Sequence, residues 1–157
     1  MADLEQDIAN LEVAIRNFVQ TMKRPQTWAM LSARAELTID RPGATILRLL
    51  VAQPGNWRLH DLAEQLGVEA PSITRKTQQL ELAGLVYRQR DEKDGRAFSL
   101  RITEKGRIVA RKIETAQRQI IEAALQDWPS TDRQHFIELF QRFSTDLSQQ
   151  YKPTHNK

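Results

Sequence analysis

From Leu59 to Gly106 the chain runs LHDLAEQLGVEAPSITRKTQQLELAGLVYRQRDEKDGRAFSLRITEKG, and few backbone paths satisfy its punctuation. Leu59, Leu62, Ala63 and Leu66 recur at helical spacing. Gly67 can take the positive φ of a sharp turn, and Ala63 is small enough for a second helix to cross closely. Pro71 presets the first turn of that second helix, in which Ile73, Thr77 and Leu80 share one face. Gly84 stops it. Val86–Arg90 and Phe98–Ile102 then alternate as two strands around a charged tip at 91–96. Phe98, Leu100 and Ile102 are expected to cover the helices, and Thr103 to N-cap a long helix. Helix, turn, helix and hairpin in this order make a winged helix-turn-helix. The expected fold is mainly α with a small β-hairpin wing.

The second helix turns Ser72, Thr74, Arg75, Lys76, Gln78 and Gln79 away from its apolar face. Hydroxyls and amides pair with base edges or phosphate oxygens, and a guanidinium holds guanine O6 and N7 with both arms. A helix-turn-helix lays its second helix in the major groove, and a basic hairpin beside it reaches phosphates or a neighbouring minor groove. From Arg88 to Lys112 there are nine basic and four acidic side chains, an excess of five against a net charge of +3 for the whole chain. The positive field is thus concentrated on one module, which makes double-stranded DNA the expected partner and adds Arg88 and Arg90 to the expected contacts. Two positions strain this pattern. Thr77 faces the core, so its hydroxyl is expected to bond back to the Ile73 carbonyl. Glu69, before the second helix, suits the helix dipole but repels phosphate.

The stretch Asp94-Gly95-Arg96, Leu100, Ile102-Thr103 and Gly106, preceded by LELAGLV from Leu80 to Val86, resembles the multiple-antibiotic-resistance regulator (MarR) family of winged-helix transcription factors. The resemblance implies that Asp94 orients wing arginines, that Arg96 enters the minor groove, and that Ser72, Thr74 and Arg75 are major-groove contacts. Gln78, on the same polar face, completes the expected DNA-contacting set. The resemblance also implies a pocket for a small aromatic or amphipathic effector where dimer helices meet the winged helix. Arg16, Trp28, Arg48 and His60 are candidates for it, since a cation or ring at that junction could hold an anionic aromatic compound.

The flanks look built for pairing. Leu4, Ile8, Leu11, Ile15, Phe18 and Met22 form a narrow apolar seam that ends near Pro25. Ile108, Val109, Ile113, Ala116, Ile120, Ala124 and Trp128 mark a helix from about Glu104 to Asp127, ~36 Å long. Pro129 stops it, Thr131 with Gln134 resembles a capping box, and Phe136, Ile137, Phe140, Phe143 and Leu147 give the last helix a bulky face. A further helix, roughly Pro42 to Ala52, begins after Asp40, and a turn follows over Gln53 to Arg58. A small winged helix cannot cover three such faces. The expectation is therefore a single domain over 1–157, with dimerisation helices in 1–36 and 104–150 and the winged helix-turn-helix in 41–103. A two-fold homodimer would read a pseudo-palindromic operator with half-sites ~34 Å apart.

Other chemistries find little support. Cysteine is absent, which removes thiol catalysis, thiolate metal sites and oxidant sensing by cysteine. His60, His135 and His155 lack ligand spacing, and no phosphate-cradling glycine loop, G-x-S-x-G elbow or H-E-x-x-H pair occurs, so neither an enzyme nor a bound cofactor or metal is expected. Trp28, Trp57 and Trp128 read as core aromatics. No apolar run is long enough to span a bilayer, and MADLEQDIAN lacks the features of a signal peptide, which points to the cytoplasm. The functional expectation is a transcriptional repressor released by a small-molecule effector. The alternative is a winged-helix protein- or RNA-interaction module without sequence-specific DNA binding.

Overall fold

The computed structural model describes residues 2–90 and 98–151. Within them the order is α1 (Ala2–Lys23), α2 (Pro25–Arg34), α3 (Arg41–Ala52), α4 (Leu59–Leu66), α5 (Ala70–Leu82), β1 (Val86–Arg90), β2 (Phe98–Ile102), α6 (Glu104–Leu125) and α7 (Ser130–Gln150). The strands pair antiparallel with Arg88 opposite Leu100. The chain divides into two compact units, Met1–Gln117 and Arg118–Lys157.

Local chemistry explains the boundaries in the first unit. Asp40 N-caps α3, its carboxylate accepting the Gly43 amide at 3.0 Å. Gly67 and Gly84 close α4 and α5 at φ 63° and 71°. Each is followed by an amide that reaches back to the last turn, Val68 to the Ala63 carbonyl at 3.0 Å and Leu85 to Leu80 at 2.9 Å. Both ends are Schellman motifs, which need the left-handed conformation that glycine adopts without strain. Thr103 caps α6 by accepting the Gly106 amide at 3.0 Å.

One apolar cluster joins these elements. Ile46, Leu47 and Leu50 of α3 pack with Leu62 of α4, Ile73 and Leu80 of α5, Val86, Leu100 and Ile102 of the hairpin, and Ala110 of α6. Burial of this kind contributes about 1.5–3 kcal/mol per large side chain, which is what fixes the two helices and the wing as one body.

The hairpin differs from its period-two expectation at its outer end. Leu100 and Ile102 are buried, but Phe98 is exposed and Ser99 is buried in its place. Phe98 stands outside the cluster and lies under the Arg90 guanidinium, 5.8 Å from ring centroid to carbon. A third extended segment also joins the sheet: Trp57 forms a bridge to Leu100, whose amide donates to the Trp57 carbonyl at 2.7 Å. It lies in the stretch expected to be only a turn.

In the second unit, α7 follows Pro129 without a side-chain cap, and the Thr131 hydroxyl turns to Asp132 instead of closing a box with Gln134. Trp128 is exposed and packs edge-on against Phe136, 5.5 Å between centroids, so it is not a core aromatic in this chain. No residue of α7 is buried; Phe136, Ile137, Phe140 and Leu147 all stand open. In the first unit the α1 seam from Leu4 to Met22 is likewise exposed along its length.

Candidate nucleic-acid interface

The helix α5 presents the polar face expected of it because its apolar side is fully committed. Ile73, Thr77 and Leu80 are buried, and Thr77, wholly inaccessible, satisfies its hydroxyl at the Ile73 carbonyl, 3.0 Å away, with the Thr74 carbonyl equally near. The cost of burying a hydroxyl is thereby met inside the helix. On the opposite side Ser72, Arg75 and Gln78 are exposed at intervals of three residues. Arg75 makes no ion pair with any described residue, so both arms of its guanidinium are available. Thr74 is half-buried and its hydroxyl already donates to the Ala70 carbonyl at 2.9 Å, leaving only its lone pairs for a partner.

Glu69 occupies the N-cap position of α5 and makes no capping bond with its carboxylate. In the first turn of α5, Pro71 has no amide N–H and the Ser72 and Ile73 amides donate to the Glu69 carbonyl at 3.0 and 3.3 Å, so the exposed Glu69 carboxylate sets a repulsion of phosphate against the attraction of the helix dipole.

The wing strands carry the other expected contacts in different states. Arg88 is engaged by Glu81 of α5 at 3.3 Å, which ties the strand to the helix. Arg90 is exposed and lies over the Phe98 ring. Asp94 and Arg96 lie outside the described residues. The sheet is held to α6 by a dense knot: the Thr103 amide donates to the Leu85 carbonyl (3.0 Å), the Thr103 hydroxyl to Gly84 (2.8 Å) and the Lys105 ammonium to Ala83 (2.8 Å). Three carbonyls at the C-terminal end of α5 thus receive donors from the start of α6, one of them cationic, as the helix dipole favours. The role of Lys105 had a sequence signal, a lysine two residues past a Thr cap, but its target could not be read without the turn geometry.

Of the four residues considered for an effector, Arg48 borders a cavity formed by described residues, a groove of about 510 Å³ between α3, α4 and α6, together with Thr45, Leu49, Leu66, Ala110 and Glu114. Arg16 is exposed on α1, Trp28 is half-buried on α2 and His60 is exposed on α4, and none of the three borders this groove. Gln65 and Glu114, which do, were not singled out from sequence; they carry no motif and share only the lining of this groove.

A recognition helix with a free guanidinium and amides, held by a turn to a supporting helix and flanked by a basic hairpin, defines the class of winged-helix DNA-binding regulators. Residues 39–98 match the sequence model of the MarR family. A curated relative, an uncharacterized HTH-type transcriptional regulator YxaD of Bacillus subtilis, is 28% identical over 106 residues, covering 68% of this chain and 73% of that protein. The fold is shared with a MarR family protein from Bacillus stearothermophilus (23% identity, TM-score 0.78, 92% of this chain and 97% of that one). It is also shared with an S. aureus MepR mutant bound to an oligodeoxyribonucleotide (18% identity, TM-score 0.62, 87% and 97%). The similarity to the MarR family thus covers the winged helix-turn-helix of this chain, and the solved structures share its fold. Among the described residues no helix is long and apolar enough to cross a membrane.

Proposed function

We propose that this protein is a cytoplasmic homodimeric repressor that occupies a pseudo-palindromic operator through Ser72, Thr74, Arg75 and Gln78 in the major groove, with Arg88, Arg90, Asp94 and Arg96 serving the wing. The observation that carries this reading is the exposed face of α5, where Arg75 is free of described partners while the cations around it are engaged. An unpaired guanidinium flanked by Ser72 and Gln78 is suited to bidentate recognition of guanine.

The dimer rests on two exposed apolar faces, one in each unit: the α1 seam and the Phe136–Leu147 side of α7. Apolar stretches of this size are rare on monomers and are the expected material of a two-fold interface. Within such a dimer an effector is expected in the groove at Arg48, whose apolar walls and guanidinium fit a small aromatic anion. Binding there would alter the spacing of the two heads and remove simultaneous engagement of both half-sites, a loss much larger than that of one contact.

Selection of random duplexes by the purified protein, sequenced after rounds at two salt concentrations, tests the reading. One enriched inverted repeat with half-sites ~34 Å apart is expected. On that operator Arg75→Ala should cost about 1–3 kcal/mol and relax the preference at one position per half-site, whereas Arg90→Ala should weaken all sequences alike. Binding that never discriminates among sequences would replace this reading with a winged helix used for protein or RNA interaction.

A further inference from the structure

The cation next to Arg75 on the recognition helix is in a different state. Lys76 follows one residue later, ~100° further around the helix, at the border between the polar face and the buried one. Its side chain keeps 18% of its accessible surface, and its ammonium is bonded to the carboxylate of Asp40. A second bond goes to Gln79 Oε1 at 2.6 Å. Because an ammonium only donates, the Gln79 amide is held with its oxygen inward and its NH₂ group free.

Asp40 is itself built into the fold. Its other oxygen caps α3 at the Gly43 amide, and the neighbouring Arg41 guanidinium donates to the Met22 carbonyl at the end of α1. Gly43 allows α3 to come this close. A Cβ there would lie 3.2 Å from Leu80 Cδ2 of α5 and 3.1 Å from the Asp40 carboxylate, tighter than ordinary contact. The approach of α3 to α5 therefore sets the carboxylate within reach of Lys76. Without it, a four-carbon stem at the edge of a DNA-facing helix would extend its charge outward to the phosphates.

We propose that Asp40 is a specificity-determining positioning residue: it withholds Lys76 from the DNA backbone, so that the recognition helix offers a guanidinium and amides to the bases without an adjacent phosphate-seeking cation. A lysine on phosphate strengthens binding to every sequence equally, and withholding it leaves affinity to contacts that discriminate. This rests on the DNA-binding reading above.

The test uses the full-length protein and the duplex selected for it, alongside a scrambled duplex, with affinity measured across salt. Asp40→Asn and Asp40→Ser both retain an N-cap, so either can serve if the other folds poorly, and thermal unfolding by circular dichroism confirms the fold. Each should free Lys76, steepening the salt dependence by about one phosphate contact, so that from about 50 to 200 mM salt the variant loses roughly 3- to 4-fold more affinity than the parent. The ratio of operator to scrambled affinity at low salt should fall. Adding Lys76→Met to either variant should return the slope to the parental value. If both neutral caps keep the parental slope and discrimination, the proposal is overturned while the DNA reading stands. If the parent binds neither duplex, the DNA reading itself fails, and this one with it.

Discussion

Placing a single methyl group on Gly106 should damage this fold more than most substitutions of a buried side chain. A Cβ at that position would sit 2.1 Å from the Leu85 carbonyl oxygen, 3.1 Å from its carbon and 2.8 Å from Ile102 Cγ1. The nearest obstacle is backbone that cannot step aside. The Leu85 carbonyl accepts the Thr103 amide, the Leu85 amide closes the Schellman end of α5, and the preceding Gly84 carbonyl accepts the Thr103 hydroxyl. Opening the contact by the ~1 Å required would weaken two of these bonds, at about 1 kcal/mol each, and displace Ile102 from the cluster, for about 1–3 kcal/mol more. Alanine's better helix propensity returns ~1 kcal/mol, leaving Gly106→Ala less stable by about 2–4 kcal/mol. Urea denaturation followed by circular dichroism measures this directly. Gly55→Ala, where an added Cβ meets nothing within 4 Å, is the control and should change stability by less than about 0.5 kcal/mol. A Gly106→Ala protein as stable as its parent would show that the α5–β1 junction can yield, and would refute the account of a knot that holds the wing.

Two further outcomes follow from local geometry. Glu36 sits at φ 51° just past α2, in the place where Gly67 and Gly84 close their helices, and its ion pair with Lys112 at 3.0 Å is exposed. Relieving the left-handed strain should outweigh a surface pair, so Glu36→Gly should gain about 0.5–1 kcal/mol in the same denaturation assay, while a loss would show that the pair to α6 matters more. Burial opposes ionisation of Asp40 more than any other single influence. The Lys76 hydrogen bond, the Gly43 amide and the Lys76 charge together outweigh it and hold the carboxyl below its ordinary 3.8. With a depressed folded value, its contribution is fully present above that ordinary value and is lost as the pH falls through the lower folded one. The parent should therefore lose stability below about pH 4 relative to Asp40→Asn; parallel pH profiles for the two proteins would refute the assignment.

Much of this was legible because short-range rules dominate where glycine and proline punctuate the chain. The turns at Gly67 and Gly84, the cap at Thr103, the back-bonded hydroxyl of Thr77 and the boundaries of β1 and β2 follow from residue type and spacing. Other features depend on where the cluster ends in space. Period two placed Phe98 inward, but the ring stands outside the apolar cluster, exposed and under Arg90. Thr131 and Gln134 have the spacing of a capping box without its geometry, since α7 starts directly after Pro129. The state of each cation was the least legible feature: no local pattern distinguishes Arg75, Lys76 and Arg88, yet one is without a described partner, one is bound to a residue 36 positions earlier, and one is engaged by Glu81.

The recognition helix is braced at two points by different elements, and this limits how any signal could act on it. Toward its middle, Lys76 ties it to Asp40 at the head of α3; at its C-terminal end, Thr103 and Lys105 tie its carbonyls to the head of α6. A helix held at two points by a partly exposed ion pair and a set of hydrogen bonds is restrained from swivelling independently of its supports, because the motion would break those bonds. A ligand in the groove at Arg48 touches α3, α4 and α6 but no residue of α5. Its mechanical access to the bases is therefore through the helices packed around α5, with α4 and α3 in direct contact with it and α6 bonded to its C-terminal end. Regulation by such a ligand would change where the reading head stands and leave the shape of its reading face intact.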